Sequence, residues 1–379
     1  MRKTIKLKEL CSFQEGYVNP PQGNPDYFDG EIKWIRAVDL NNSKVYTTTR
    51  TLTKKGFLSA KKSAILFSPG TIVISKSGTI GRLGLLQDYM CGNRATINII
   101  PKEGTNIEYI FYNLLNRQTE IADLAVGSVQ KNLYVSILEN VDITIPSNSE
   151  QEDIVKLLKS IDEKIENNRQ INDNLEQQAS SLLSDWISTY PCRTYKLSDI
   201  CKYANAKCET GNLTPQNYIS TENMLPNKKG IVEASNIPTG KATCYKVDDI
   251  LIANIRPYFQ KIWKADINGG CSADVLCIRA NIESHSPILY WLLHQDAFFE
   301  YVMTGAKGCK MPRGDKQHIM NWSIDLPEVQ YWADLATQLG SIDQQIAYNR
   351  IESINLSNLR DTLLPKLMSG EIKINEIDC

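Results

Sequence analysis

The sequence predicts an α+β protein built as a tandem pseudo-symmetric repeat: two mixed α/β modules, each followed by one long helix. Three observations carry this. SIDEKIENNRQINDNL (160–175) returns as SIDQQIAYNRIESINL (341–356), 181 residues later, with Ser160/Ser341, Ile161/Ile342, Asp162/Asp343, Ile165/Ile346, Asn168/Asn349, Arg169/Arg350, Asn174/Asn355 and Leu175/Leu356 identical. The same offset joins Pro146 to Pro327 and Leu182–Leu183 to Leu363–Leu364, so the chain is a duplication. Charge alternates with the repeat: 18 Lys+Arg stand against 13 Asp+Glu in 1–146, 4 against 9 in 147–190, 16 against 13 in 191–327, and 4 against 8 in 328–379. Two basic modules therefore alternate with two acidic helices, a pattern that suits a polyanion partner for the modules.

The first module, residues 1–146, opens with a strand-like Ile5–Leu10 and a Pro- and Gly-punctuated loop that ends where apolar and polar residues alternate, at Ile32–Val38. Short β-runs follow at Ala64–Phe67 and Thr71–Ser75. Gly78, Gly81 and Gly84 then mark tight turns before a strand at Ala95–Ile100. Ile107–Leu115 has the three-and-four spacing of a helix, Gly127–Leu133 reads as a polar loop, and Val141–Pro146 as a closing strand. The second module, residues 191–327, repeats the order: Tyr195–Cys201, Asp249–Ala253, Ala273–Ile278, a helix over Leu289–Leu293, a polar loop over Gly305–Pro312, and a strand at Trp322–Pro327. Similarity is strong at the module ends and weak in the middle, as expected of one scaffold carrying two different surfaces.

The helices occupy 147–190 and 328–379. Ser149 and Glu152 have the spacing of a capping box. Ile154, Leu158, Ile161, Ile165, Asn168 and Leu175 fall on a heptad seam in the first copy, and Leu335, Leu339, Ile342, Ile346, Asn349 and Leu356 on its counterpart in the second. A seam of this length must be buried, and the other copy is the obvious partner. Asn168 and Asn349 interrupt it, and polar seam residues lower stability but fix register.

Composition excludes several classes. No run approaches the ~18 apolar residues of a membrane span, and the charged opening MRKTIKLKELCSF lacks an apolar leader segment, so a cytoplasmic protein is expected. Ten scattered cysteines without a CxxC pair are expected to be reduced thiols, and three histidines (285, 294, 318) offer no zinc spacing; no metal is expected. Gly78-x-x-Gly81-x-x-Gly84 lacks the Lys-Ser/Thr of a phosphate loop. Asn19-Pro20-Pro21-Gln22 approaches the base-holding motif of amino-methyltransferases but has Gln22 where that motif has its aromatic, and no glycine-rich cofactor loop precedes it. The chain reads as non-catalytic.

Binding fits better. Lys54, Lys55, Lys61, Lys62, Lys76, Ser77, Arg82, Arg94, Gln130 and Lys131 gather near turns of the first module. In the second, Asn254, Arg256, Tyr258, Lys261, Lys307, Lys310 and Arg313 form a similar mixture. Lys and Arg neutralise phosphates, while Arg, Asn and Gln address base edges.

EGYVNPPQGNPDYFDGEIKWIRAVDL, SKSGTIG, the two SID-x-x-I repeats, NYISTENM, ANIRPYFQKIW, GGCSADVL and the terminal LLPKLMSGEI together resemble the DNA-specificity subunit of type I restriction-modification systems, over essentially the full chain. The resemblance implies two α/β target recognition domains separated by two long antiparallel coiled-coil helices. Each domain would read one half of a bipartite, asymmetric site in double-stranded DNA. Methyltransferase subunits, two of them, would dock on the helical regions, and restriction subunits would join through the complex. S-adenosylmethionine, ATP and magnesium would serve those partners, with no cofactor on this chain. The competing readings are a stand-alone DNA methyltransferase or nuclease with built-in recognition domains, and a coiled-coil adaptor.

Overall fold

The computed structural model describes residues 2–128 and 131–374. The chain divides into two units, Met1–Glu166 with Ser353–Cys379, and Asn167–Glu352. Each unit holds one module and a stretch of both long helices.

In the first unit, Lys3–Lys6 pairs antiparallel with Asp142–Ile145, so the two ends of the module meet in one ribbon. A five-stranded sheet runs in the order Cys11–Glu15, Thr96–Pro101, Ile72–Ser75, Leu83–Leu86, Ser43–Val45, the last joined in parallel. A three-stranded sheet of Thr51–Leu52, Phe28–Ile35 and Met90–Gly92 packs its own small core around Phe28, Trp34 and Leu52. The main core lies between the larger sheet (Ile72, Ile74, Leu83, Ile97, Ile99) and the helix Ile107–Asn116, whose apolar residues supply Tyr109, Ile110 and Leu114. Ile154 and Leu158 from the first long helix, and Leu364 and Leu367 from the second, complete it. Each such leucine contributes about 1.5–3 kcal/mol by leaving water.

In the second unit, Cys192–Lys196 pairs with Ser323–Pro327 in the same way. A four-stranded antiparallel sheet runs Cys201–Tyr203, Val275–Ala280, Ile250–Ala253, Ile262–Lys264. A second sheet is made by Lys207–Glu209, Lys241–Tyr245, Gly269–Cys271 and Tyr218–Ile219. The helices Ser286–Leu293 and Asp296–Thr304 cover the first sheet with Leu289, Leu293, Phe298 and Phe299. Ala179, Leu183 and Trp186 meet Trp332, Leu335 and Leu339 in a separate cluster, where Trp186 donates through Nε1 to the Tyr331 carbonyl at 2.9 Å.

The long helices span Asn148–Thr189 and Trp332–Ser369, about 63 and 57 Å at 1.5 Å per residue. In each unit their segments run antiparallel, Asp162 meeting Arg360 in the first and Asn168 meeting Asn349 in the second. Ile154, Leu158, Ile161, Leu335 and Leu339 are buried, whereas Ile165, Leu175, Ile342, Ile346 and Leu356 are half-buried. Asn168 and Asn349 are buried too. The Asn168 amide donates to Glu352 at 2.7 Å and to the Asn349 carbonyl at 3.4 Å. Asn349 donates to Asn172 at 2.8 Å. These bonds have one geometry, so they lock the register that an apolar seam leaves slidable. The second helix ends at Gly370, whose φ of +78° suits glycine. There Arg2 donates to the Met368 carbonyl at 2.5 Å, to the Leu367 carbonyl at 3.1 Å, and pairs with Glu150 at 2.6 Å.

Four expectations are corrected. Ile5–Leu10 and Tyr195–Cys201 are not continuous strands: a helical turn, Leu7–Leu10 or Leu197–Ile200, interrupts each. Glu9 and Asp199 cause this by accepting from the amides of Lys6 (3.1 Å) and Lys196 (2.8 Å), which curls the backbone. Ala64–Phe67 forms no strand and contributes one bridge, Phe67 to Met90. The first long helix starts one residue before Ser149, capped by Ser147, whose Oγ accepts from the Glu150 amide at 3.3 Å. Finally, Leu83–Leu86, expected as a turn region because of its glycine, is a central strand. A Cβ at Gly84 would lie 2.7 Å from both Leu40 and Val45 side-chain carbons, so that glycine serves close packing.

Candidate nucleic-acid interface

At the end of the Ile72–Ser75 strand, Ser75 Oγ accepts from the Arg82 amide at 2.9 Å and donates to the Thr79 carbonyl at 2.5 Å. With Gly78 and Gly81 at positive φ, this shapes the Lys76–Gly81 turn. Two further loops hang on it. Lys76 donates its amide to the Ala95 carbonyl at 2.8 Å and accepts at its carbonyl from Leu133 at 2.9 Å. The 126–132 loop is closed by a pair of 2.9 Å bonds between Val126 and Asn132. Lys76, Ser77, Arg82, Arg94 and Lys131 therefore stand on three adjoining loops. Gln130 lies outside the described residues.

The second module repeats the scheme. Asn254 donates its amide to the Asp274 carbonyl at 2.8 Å and accepts from Gly314 at 3.1 Å, and Lys307 and Arg313 close their loop with two 2.9 Å bonds. The shared bonds are main-chain bonds, so unlike sequences hang on one frame. Asn254, Arg256, Tyr258, Lys307, Lys310 and Arg313 are brought to this edge.

Their individual settings differ. Lys310 is exposed and makes no ion pair among the described residues, and the same holds for Arg94 and Lys131. Lys76 pairs with Glu15 at 2.7 Å and Arg313 with Asp274 at 3.2 Å. Lys307 pairs with Asp315 at 2.5 Å and, with the backbone amides of Gln317 and His318, holds that carboxyl down at about 2. Lys261 points inward, donating to the Thr221 carbonyl at 2.6 Å, and burial lowers its pKa.

The segment Arg256–Gln260 is strained. Arg256 (φ +52°) and Gln260 (φ +50°) bracket a 3₁₀ turn, Pro257–Phe259. The adjoining Asn227 (φ +56°) and Lys228 (φ +62°) donate to the carbonyls of Phe259 and Gln260 at 2.8 and 2.9 Å. Four non-glycine residues in the left-handed region cost about 1–2 kcal/mol each, and such strain persists where surrounding bonds enforce it. The turn displays Tyr258, 49% exposed, beside Phe259, with ring centroids 4.7 Å apart.

Lys54, Lys55, Lys61 and Lys62 sit elsewhere, on the helix Lys54–Leu58 and the 3₁₀ turn Lys61–Ser63. Gly30, beside Thr53, and Ile35, whose carbonyl accepts from Asn93, are five residues apart on one strand. At about 3.3 Å per residue that is roughly 16 Å. The basic residues of this module thus form two groups. Lys55 is engaged with Asp26 at 2.8 Å and lies over the Tyr27 ring.

Sequence reasoning passed over the carboxylates. Asp39 is buried and accepts from the Arg36 amide (2.9 Å), the Thr49 amide (2.8 Å) and the Thr49 hydroxyl (2.6 Å), knotting the base of the three-stranded sheet. Asp274 and Asp315 orient the two cations beside them. Acidic residues next to the basic loop, as in RGDK, were the available signal.

The histidines serve packing. His318 stacks on Tyr301 at 4.2 Å, His285 lies against Trp332, and burial pushes His294 down to about 3. Among the described residues, no group of three or more His, Cys, Asp or Glu side chains is placed to hold a metal, and no helix is long and apolar enough to cross a membrane. What the loop edges offer is cations, amides and exposed aromatics on a main-chain frame. That set suits phosphates and bases.

Residues 2–177 match the model of the type I restriction modification DNA specificity domain. The chain is 25% identical to the type I restriction enzyme MjaIX specificity subunit of Methanocaldococcus jannaschii, over 98% of this chain and 94% of that one. It is 24% identical to a putative type I specificity subunit of Mycoplasma genitalium, covering 92% and 87%. Its fold resembles the crystal structure of a type I restriction-modification S subunit from M. genitalium, with a TM-score of 0.55 at 17% identity over 97% of this chain and 96% of that one.

Proposed function

We propose that the chain is a type I restriction-modification DNA-specificity subunit, and that its parts divide the work as follows. It is the non-catalytic, sequence-specific DNA-binding component of a methyltransferase and restriction complex. Residues 1–146 and 191–327 act as target recognition domains, each reading one half of a bipartite, asymmetric site. Lys76, Ser77, Arg82, Arg94 and Lys131 meet DNA in the first half, and Arg256, Tyr258, Lys310 and Arg313 in the second. The long helices dock two methyltransferase subunits, and their length sets the number of unread base pairs between the half-sites. Restriction subunits join through that complex. S-adenosylmethionine serves the methyltransferase, and ATP and magnesium serve the restriction subunits.

The observation that carries this is the shared main-chain frame of the loop edges. Two unrelated polar surfaces hang on matching hydrogen bonds, as two readers of different sequences require. Exposed lysines supply salt-dependent affinity, and directional groups supply discrimination.

The test is methylome sequencing of a host that expresses this chain with its methyltransferase subunit. One split motif should be methylated. Lys310→Ala or Arg256→Ala should relax or abolish only the second half, whereas a uniform loss across all sequences would reassign these residues to phosphate contacts.

A further inference from the structure

The Ser-Ile-Asp turn of the repeat occurs once on each long helix, and its aspartate does the same thing in both units. Asp162 accepts from the Tyr112 hydroxyl at 2.7 Å and pairs with Arg360 at 2.9 Å. Asp343 accepts from Trp291 Nε1 at 2.8 Å and pairs with Lys264 at 2.6 Å. Tyr112 and Trp291 lie on equivalent short helices of the two modules, Ile107–Asn116 and Ser286–Leu293. A lysine from the edge strand of the main sheet reinforces each contact: Lys44 reaches Glu163, next to Asp162, at 3.1 Å, and Lys264 reaches Asp343 itself.

The other identical repeat residues behave differently. Ser160 and Ser341 donate to carbonyls of their own helices. Asn168 and Asn349 lie in the seam. Arg169 pairs with Asp173 on its own helix, while Arg350 reaches Asp266 of the module. The aspartate makes the same kind of contact to both modules, accepting from an aromatic donor of the short helix, although the module faces have diverged. A shared contact on divergent faces implies a shared task.

We propose that Asp162 and Asp343 are positioning residues that fix the angle at which each module stands on its helix, and thereby the spacing at which its half-site is read. The proposal rests on the function given above. Apolar packing is non-directional and tolerates roll, whereas a hydrogen bond to a carboxylate at 2.7–2.8 Å does not. Losing it leaves the reading loops intact but lets the module swing.

The experiment uses the full complex with its methyltransferase subunits. Duplexes carry both half-sites at the preferred spacer and at one base pair more or less, and the methylation rate is measured on each. Asp162→Ala and Asp343→Ala should keep most of the rate at the preferred spacer while discrimination against the wrong spacers falls roughly tenfold, the factor carried by one net hydrogen bond to a charged group. Tyr112→Phe removes only the donor and should reproduce the effect of Asp162→Ala, which keeps the test open where an alanine variant fails to fold. Unchanged discrimination in folded variants, or an equal loss at every spacer, overturns the proposal. A wild-type complex indifferent to the spacer would instead remove the functional reading beneath it.

Discussion

The backbone at Arg256 offers a substitution whose sign can be worked out in advance. At an ordinary position glycine lies about 0.5–1 kcal/mol below alanine in stability, because it has more freedom to lose on folding. At φ +52° an alanine Cβ carries a penalty of about 1–2 kcal/mol that glycine escapes. The order inverts, and Arg256→Gly should exceed Arg256→Ala by about 0.5–1 kcal/mol. Both variants lose the guanidinium, including its buried Nε, which has no hydrogen-bond partner among the described residues. The difference between them therefore isolates the backbone. For a unit of this size it corresponds to about 1–4 °C in Tm. Both should weaken second-half-site recognition alike, by about 1–3 kcal/mol if the guanidinium grips a base bidentately. Differential scanning calorimetry of the pair, with duplex binding alongside, decides. An alanine variant at least as stable as the glycine variant would refute the strain argument. Retained discrimination in both would refute the role of Arg256.

Other outcomes follow from the same structure. Asn349→Ala removes donors and acceptors from a buried seam and should lower stability by about 1–3 kcal/mol, read as a lower urea midpoint at unchanged slope. Asp39→Ala strips three hydrogen bonds from the turn beside Trp34 and should cost about 2–4 kcal/mol, with loss of first-half-site recognition. Inserting a heptad within 168–175 should lengthen the unread spacer while leaving both half-sites unchanged, as methylome sequencing would report. The pH response of the second unit has opposed parts. His294, buried and near 3, costs stability progressively as pH falls from about 6.5, because only the unfolded chain takes up the proton. Glu176, raised by burial to about 7, adds stability as pH falls from 7 towards its ordinary value, since the folded chain protonates first. The two offset each other down to about pH 4.5, below which the His294 loss is joined by that of Asp315, whose folded carboxyl lies near 2. His294→Gln should remove the histidine part in acid titrations of unfolding.

The duplication, the paired modules and the helix seam were legible because each is a local or periodic property of the chain. Asn168 and Asn349 were visible as interruptions of that period. Leu83–Leu86 was not, because Gly84 looks like a turn residue until Leu40 and Val45 are known to close over it. The polar loops were recognisable by composition, yet their division was not: nothing in the spacing of Lys55 and Lys76 says that one strand's length separates them. Nor does a sequence show that Lys261 turns inward, or that Asp343 finds Lys264. Those outcomes depend on which strands pair, and strand pairing here is mostly non-local.

The make-up of the two units has a consequence for how the chain comes off the ribosome. The second unit is a single uninterrupted segment, whereas the first is assembled from two stretches that flank it in sequence, joined where Arg2 meets Leu367 and Met368. During synthesis the earlier-made module must wait, its Ile154–Leu158 face uncovered, until Leu364 and Leu367 emerge. The later-made module can complete itself first. Order of synthesis and order of maturation are thus reversed, and premature termination in the last turns of the chain would strand the older half while sparing the younger.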